Sequence, residues 1–433
     1  MPKITYVGAG SSTFAARLIS DLVATPGLEA GTFALVDIDA ERLELSRQIA
    51  EKIVAVSGRD WTITTTTDRT EALPGSRYVI NSIEVAGLDC VEPDYEIPLK
   101  YGVDQCIGDT IGPGGIFKAL RTGPAWLDII ADVERLAPGA IVMNYTNPMS
   151  ILTLAASRTS KVPVVGLCHS VQGTSRLLAG LLGIPYEELR WRCAGINHNA
   201  WFTTLESNGK DMYPRLRELA RDPAIYEQDP VRFEVMLHLG AFVTESSGHF
   251  SEYVPYFRKR PDLLARYTGP GYLGESGFYA HNWPTWRQMN AAAVRGLVEE
   301  SIELEVTRSH EYASYIVEAI ELDQPVEIHG NVLNEGFIEN LPNGNVEIAC
   351  RVDGSGIHPC QFGPLPEQLA ALNRSHMAVH ELMVQALLER DREKARLALM
   401  LDPLTAAVCS LEEISRMFDE MWDAERPHLS AFE

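Results

Sequence analysis

The sequence predicts an α/β chain: a parallel sheet of Rossmann-type βαβ units over residues 1–185, then an α+β region over residues 186–433. Three observations predict it. Short apolar runs alternate with helical periodicity in the first region. A glycine-rich turn follows the first apolar run. Beyond residue 185 the alternation gives way to short β-rich runs and long helical stretches. At 433 residues the chain exceeds what one ordinary core organises, so two closely packed lobes are expected.

Ile4–Val7, Phe33–Val36, Tyr78–Ile83, Ile141–Asn144 and Val164–Leu167 are near-continuous apolar runs, as in parallel strands covered on both faces. Phe14–Leu22, Ala40–Val56, Thr122–Leu136 and Met149–Ala156 carry the helical period between them. Leu189–Cys193 and Trp201–Leu205 are short strands, and Glu206–Lys210 is a turn. Helices are expected at Arg287–Leu304, Glu311–Ile320, Pro366–Leu388 and Asp391–Met400. No repeat or Pro-rich linker separates the lobes. The second is expected to pack on the carboxyl ends of the first sheet and fold with it.

Hydrophobic residues at 45% and charged residues at 22% are ordinary globular composition. The 59 acidic and 37 basic residues give a net charge of -22, which disfavours nucleic acid and anionic membranes as partners. A small neutral substrate fits better. No stretch approaches the roughly 20 apolar residues of a membrane span. The N-terminus lacks a basic start followed by a long apolar region, so it does not read as a secretory signal. The seven cysteines are scattered singly, without a CxxC pair, which points to a reducing, cytoplasmic setting.

Gly8-Ala9-Gly10-Ser11-Ser12-Thr13 follows the first strand and opens the first helix. Gly8 and Gly10 permit a tight turn and close approach of a pyrophosphate, with Ser11 and Ser12 at the helix N-terminus. Thr13 stands where the fingerprint has its third glycine. Asp37 ends the second strand, where a carboxylate accepts hydrogen bonds from the ribose of NAD and repels the extra phosphate of NADP.

Cys168-His169 follows the strand Val164–Leu167, at the end where open parallel sheets bind ligands. Asn197-His198-Asn199 lies farther on. A thiolate from Cys168 and an imidazole from His198 can share one divalent ion with open positions, which suits Lewis-acid catalysis. Read alone, a cysteine beside a strand is more often a small buried hydrophobe, and a lone histidine more often a hydrogen-bonded structural residue.

Several segments together resemble glycoside hydrolase family 4, and within it the α-galactosidase and α-glucosidase branch. They are Gly8–Ser12, Asp109-Thr-Ile-Gly-Pro-Gly-Gly-Ile116, Asn144-Tyr-Thr-Asn-Pro148, Cys168-His-Ser-Val-Gln-Gly-Thr174, Cys193-Ala-Gly-Ile-Asn-His198 and Glu245-Ser-Ser-Gly-His-Phe-Ser-Glu-Tyr253. The likeness runs nearly end to end. Cys168-His-Ser-Val171 resembles the branch acting on unphosphorylated glycosides; the 6-phosphoglycoside branches carry other residues there.

The resemblance implies a fold similar to lactate and malate dehydrogenases, with NAD kept through turnover. It places Mn2+, or Co2+, Ni2+ or Fe2+, on Cys168 and His198. It implies oxidation at C3 of the sugar, deprotonation at C2, elimination of the C1 group, addition of water and re-reduction, an exception to the usual carboxylate pair. Tyr253 matches the family's catalytic base; its other reading is packing with Tyr256 and Phe257. His169 occupies the position of an acid in one sister branch and is read as acid to the leaving oxygen or as a hydroxyl ligand. Asn147 is read as a sugar ligand or a helix cap. Asp109, in its glycine-rich loop, is read as a binder of metal-linked water or sugar hydroxyls, and Asn197 as a substrate ligand. His249 and Glu252 are pocket candidates, Glu252 alternatively an exposed charge. Arg258 and Lys259 leave a uronic-acid substrate open beside a solvated basic pair. A homodimer or homotetramer is implied. The rival from another class is a dehydrogenase of the lactate/malate type.

Overall fold

The computed structural model describes residues 1–432. Its strands are β1 Lys3–Val7, β2 Ala30–Val36, β3 Asp60–Thr66, β4 Tyr78–Asn81, β5 Ile141–Asn144, β6 Val164–Gly166, β7 Leu189–Ile196, β8 Asn199–Ser207, β9 Lys210–Asp211, β10 Phe242–Val243, β11 Val326–Leu333, β12 Asn345–Asp353 and β13 Gly356–Pro359. The first six are parallel, in the spatial order β3-β2-β1-β4-β5-β6. This is the dinucleotide-binding order, with its crevice at the carboxyl ends of β1 and β4 where the winding reverses. The predicted Rossmann-type α/β class holds.

All five predicted strands of this half are present, because each is apolar at nearly every position. One was not legible: β3 reads Asp-Trp-Thr-Ile-Thr-Thr-Thr and is half exposed at the sheet edge. The helix expected at Thr122–Leu136 begins at Gly112. Its first turn holds Pro113, Gly114 and Gly115, which argue against a helix by propensity. A Cβ on Gly114 would lie 2.3 Å from the Gly108 carbonyl oxygen, and one on Gly115 2.4 Å from the Thr110 carbonyl carbon. The glycines are there so that the loop carrying Asp109 can fold back onto the helix.

The second lobe does not simply pack on the ends of the first sheet; it extends it. β11 runs antiparallel to β6 at Asn331–Gly166, pairs with β12 along its length, and β12 meets β7 at Glu347–Gly195. The β7–β8 hairpin and β10 complete the path. The helix expected at Arg287–Leu304 is Phe278–Val298, while Tyr312–Leu322, Glu367–Glu389 and Arg392–Met400 lie within two residues of expectation. Arg121, buried, pairs with Asp94 at 2.7 Å and with Glu425, tying the C-terminal helix Leu411–Glu425 to the first half. No helix among the described residues is long and apolar enough to cross a membrane.

Candidate active site

One cleft of about 1160 Å³ runs along the carboxyl ends of the parallel strands. At one end lies the β1 turn. The Gly10 N–H donates to Asp37 Oδ2 at 2.7 Å and the Asp39 N–H to Asp37 Oδ1 at 3.0 Å. A Cβ on Gly10 would sit 2.5 Å from Asp37 Oδ2, so the residue must be glycine for the turn and the carboxylate to meet. Ser11 precedes the helix Ser12–Ala24 and makes no capping hydrogen bond; the first turn holds no acidic residue. The helix therefore points free N–H groups and the positive end of its dipole into the cleft. Gly8, Gly10, Ser11, Ser12 and Asp37 all line it. A backbone cradle with one carboxylate at its rim fits a dinucleotide with a free ribose.

At the other end, three segments distant in sequence converge. Cys168 follows β6. His198 is the second residue of the two-residue turn between β7 and β8, at φ 62. A left-handed histidine is strained backbone, held here by the hairpin on both sides. Glu245 follows β10. Cys168 Sγ, a His198 ring nitrogen and a Glu245 carboxylate oxygen lie within 4.8 Å of one another. A thiolate, an imidazole and a carboxylate suit a divalent transition ion, and three protein ligands leave coordination positions open. Burial raises the Glu245 carboxyl, but His198, with Nε2 3.5 Å away, and His249 more than offset it and hold it ionised. Burial pushes the Cys168 thiol up. A bound cation would reverse this and release the proton. Glu245 escaped the sequence reading. Its only signal is its place at the head of the Glu-Ser-Ser-Gly-His segment, straight after a strand two residues long.

Asp109 lies on the cleft wall beside Lys118 at 3.0 Å, with the Asn147 amide 3.4 Å away. Burial opposes its ionisation, but the Lys118 ammonium prevails and holds it well below the usual carboxylate range. Asn147 lines the cleft. It does not cap the following helix, whose N-cap position is Pro148. His169 is 68% exposed, with Nδ1 3.5 Å from Glu311, whose hydrogen bond raises the ring to about 9.

Tyr253 and His249 lie against His198 and not on the cleft wall. The Tyr253 hydroxyl is 3.4 Å from His198 Nδ1, and the His249 ring centroid is 4.7 Å from that of His198. Burial raises the Tyr253 phenol well above its ordinary value, and the charges of Glu245 and Asp109 add to this. The packing alternative with Phe257 is also realised, since both rings belong to one buried cluster, whereas Tyr256 is exposed. Burial lowers His249 to about 4. Asn197 is buried beside His198, away from the cleft wall, with both side-chain polar atoms unpartnered.

Two expectations are corrected. Glu252 is neither an exposed charge nor a pocket residue. It is 1% exposed and turned into the protein, where burial raises it to about 7. Arg258 is not solvated. It is fully buried, bonded to the Asp104 carboxylate at 3.0 Å and to the Gly274 carbonyl, so it is not free to hold a substrate carboxylate.

The model of the family 4 glycosyl hydrolases matches residues 3–184, and that of their C-terminal domain matches residues 193–405. The chain is 41% identical to an α-galactosidase of Bacillus subtilis, over 98% of each chain. It is 39% identical to an α-galactosidase of Rhizobium meliloti, over 99% of this chain and 89% of that one. A solved 6-phospho-β-glucosidase of Thermotoga maritima with manganese, NAD+ and glucose-6-phosphate superposes with a TM-score of 0.81 at 22% identity, covering 98% of this chain and 99% of that one. A malate dehydrogenase of Plasmodium falciparum superposes with a TM-score of 0.53 at 14% identity, over 90% of this chain and 99% of that one, which shows that the fold is shared. With both halves of the chain matched and the cleft built as described, this protein belongs to family 4 of the glycosyl hydrolases.

Proposed function

We propose that this glycoside hydrolase cleaves unphosphorylated α-galactosides with NAD+ and Mn2+ bound in the two ends of the cleft. The observation that carries the reading is the meeting of Cys168, His198 and Glu245, the first two on the wall of the cleft that also holds the Gly8–Gly10 turn and Asp37. The names of its two α-galactosidase relatives support the substrate class.

When bound, NAD+ supplies a reversible hydride acceptor and the divalent ion supplies Lewis acidity at the sugar's hydroxyl oxygens. The chain supplies the rest. Gly8, Gly10, Ser11 and Ser12 seat the pyrophosphate and Asp37 takes the ribose hydroxyls. Cys168, His198 and Glu245 hold the ion. Asp109, kept ionised by Lys118, and Asn147 orient sugar hydroxyls. Tyr253 removes the C2 proton; positive charge beside His198 counters the burial and negative charges that otherwise keep the phenol protonated. His169, held protonated by Glu311, donates to the leaving oxygen. Asn197 and His249 support His198 from the protein side. Residues 1–185 are the nucleotide-binding domain, and residues 186–433 complete the substrate and metal end and the subunit contacts of a dimer or tetramer in the cytoplasm.

Arg258, committed to Asp104, is not available to a uronide, and of the basic pair only Lys259 is exposed. Galactose and glucose differ at the C4 hydroxyl, a matter of one hydrogen bond. Hydrolysis of p-nitrophenyl α-galactoside and α-glucoside, with NAD+, Mn2+ and a thiol reductant omitted in turn, tests the proposal. Galactoside release that requires each addition supports it. Release of neither sugar, or release indifferent to the additions, overturns it.

A further inference from the structure

We propose that Glu252 is a positioning residue that locks the Asp109 loop to the helix carrying Tyr253. The proposal rests on the reading of Asp109 as a substrate-side group. Glu252 is the penultimate residue of the helix Ser247–Tyr253, one residue before Tyr253. Its Oε1 accepts the N–H groups of Cys106 and Ile107, each at 2.6 Å. Its Oε2 accepts the Gly108 N–H at 3.1 Å and the Gln105 side-chain amide at 3.3 Å. Three consecutive backbone donors thus converge on one buried carboxylate, and the next residue in the chain is Asp109.

The same Gln105 amide also donates to the Ile111 carbonyl at 3.1 Å, so the loop is pinned on both sides of Asp109. Glu252 has no ion-pair partner of its own. The neighbouring Arg258 spends its donors on Asp104, Ser251 and Gly274. The carboxyl oxygens therefore serve as acceptors for the loop. A glutamine at this position keeps one acceptor oxygen but turns an NH2 group on the Gly108 N–H and the Gln105 amide, leaving buried donors unpaired. The loop then loses its register while the fold around it remains. A misplacement of about 1 Å in a positioned group costs about 10²-fold in rate.

The test is a mutant cycle in the holoenzyme on p-nitrophenyl α-galactoside, with melting followed in parallel. Glu252→Gln is expected to lower kcat about 10²-fold with little change in KM. The double variant Glu252→Gln with Asp109→Asn is expected to be no slower than Asp109→Asn alone, because both act through the same group. Gly108→Ala gives a second approach if the glutamine variant folds poorly. Gly108 has φ +70, and an added Cβ meets nothing nearer than 3.5 Å, so the substitution strains the loop without a clash. It is expected to show the same kcat loss and the same lack of additivity. A Glu252→Gln protein that melts lower yet keeps the wild-type kcat overturns the proposal, as does a double variant whose losses multiply. A fully active Asp109→Asn overturns the reading of Asp109, and the proposal with it.

Discussion

The two ends of the cleft are built by opposite means. The nucleotide end is made of backbone: a glycine turn, a helix N-terminus and one carboxylate already bonded to two N–H groups. The metal end is made of side chains that lack what they need, a thiol pushed up by burial, a carboxylate held ionised beside His198, and a phenol kept protonated. The first is complete as it stands and needs only shape. The second keeps protons on a thiol and a phenol that one divalent cation would help to release.

The largest effect is expected at the metal end. Cys168→Ser or His198→Asn removes one of the three groups proposed to hold the ion, and activity with saturating Mn2+ is expected to fall by about 10³-fold or more, since Lewis-acid stabilisation amounts to several kcal/mol. Titration of Mn2+ binding, by the paramagnetic signal of the free ion, checks that binding is lost as well as turnover. Glu245→Gln is expected to weaken binding too, which separates a ligand from a bystander.

Tyr253→Phe comes next. Loss of a general base typically costs 10² to 10⁴-fold, so kcat is expected to drop by about that range with Mn2+ and NAD+ binding intact. Retention of more than a tenth of the activity would reduce Tyr253 to packing with Phe250 and Phe257.

At the nucleotide end a smaller effect is expected. Gly10→Ala puts a methyl group 2.5 Å from Asp37 Oδ2 and forces the turn and the carboxylate apart. NAD+ binding, followed calorimetrically, is expected to weaken about tenfold, or about 1.4 kcal/mol, with Mn2+ binding unchanged. Equal weakening of both would erase the distinction between the two ends.

The last expected effect is on stability and not on turnover. Burial lowers His329 and His376 to about 4 and His380 to about 3, from an ordinary 6.5. Between those values the unfolded chain binds protons that the native chain does not, so stability is lost as pH falls below about 6.5. Each such histidine costs up to about 1.4 kcal/mol per pH unit in that window. Melting temperatures recorded from pH 7.5 down to 5 are expected to fall, and His380→Gln to flatten the slope.

The contrast between the ends also explains what the sequence could disclose. Gly8, Gly10 and Asp37 lie just past the ends of adjacent strands joined by one helix, so their meeting is a local matter of the first βαβ unit. Cys168 and His198 were paired through the resemblance and not by their spacing, because their meeting depends on β11 and β12, which join β6 to β7. Those strands carry Asn331 and Glu347 at buried positions, and such residues erase the apolar period by which strands are recognised. Glu245 and the Glu252 clamp were hidden for the same reason. A carboxylate in a sequence reads as surface until the fold shows what donates to it.

The most direct test of the central claim is the rate of α-galactoside hydrolysis with substrate deuterated at C2, with NADH followed by absorbance. The account predicts slower cleavage of the deuterated substrate, an absolute requirement for NAD+, and no net NADH. Equal rates for the two substrates without any need for NAD+ would contradict it.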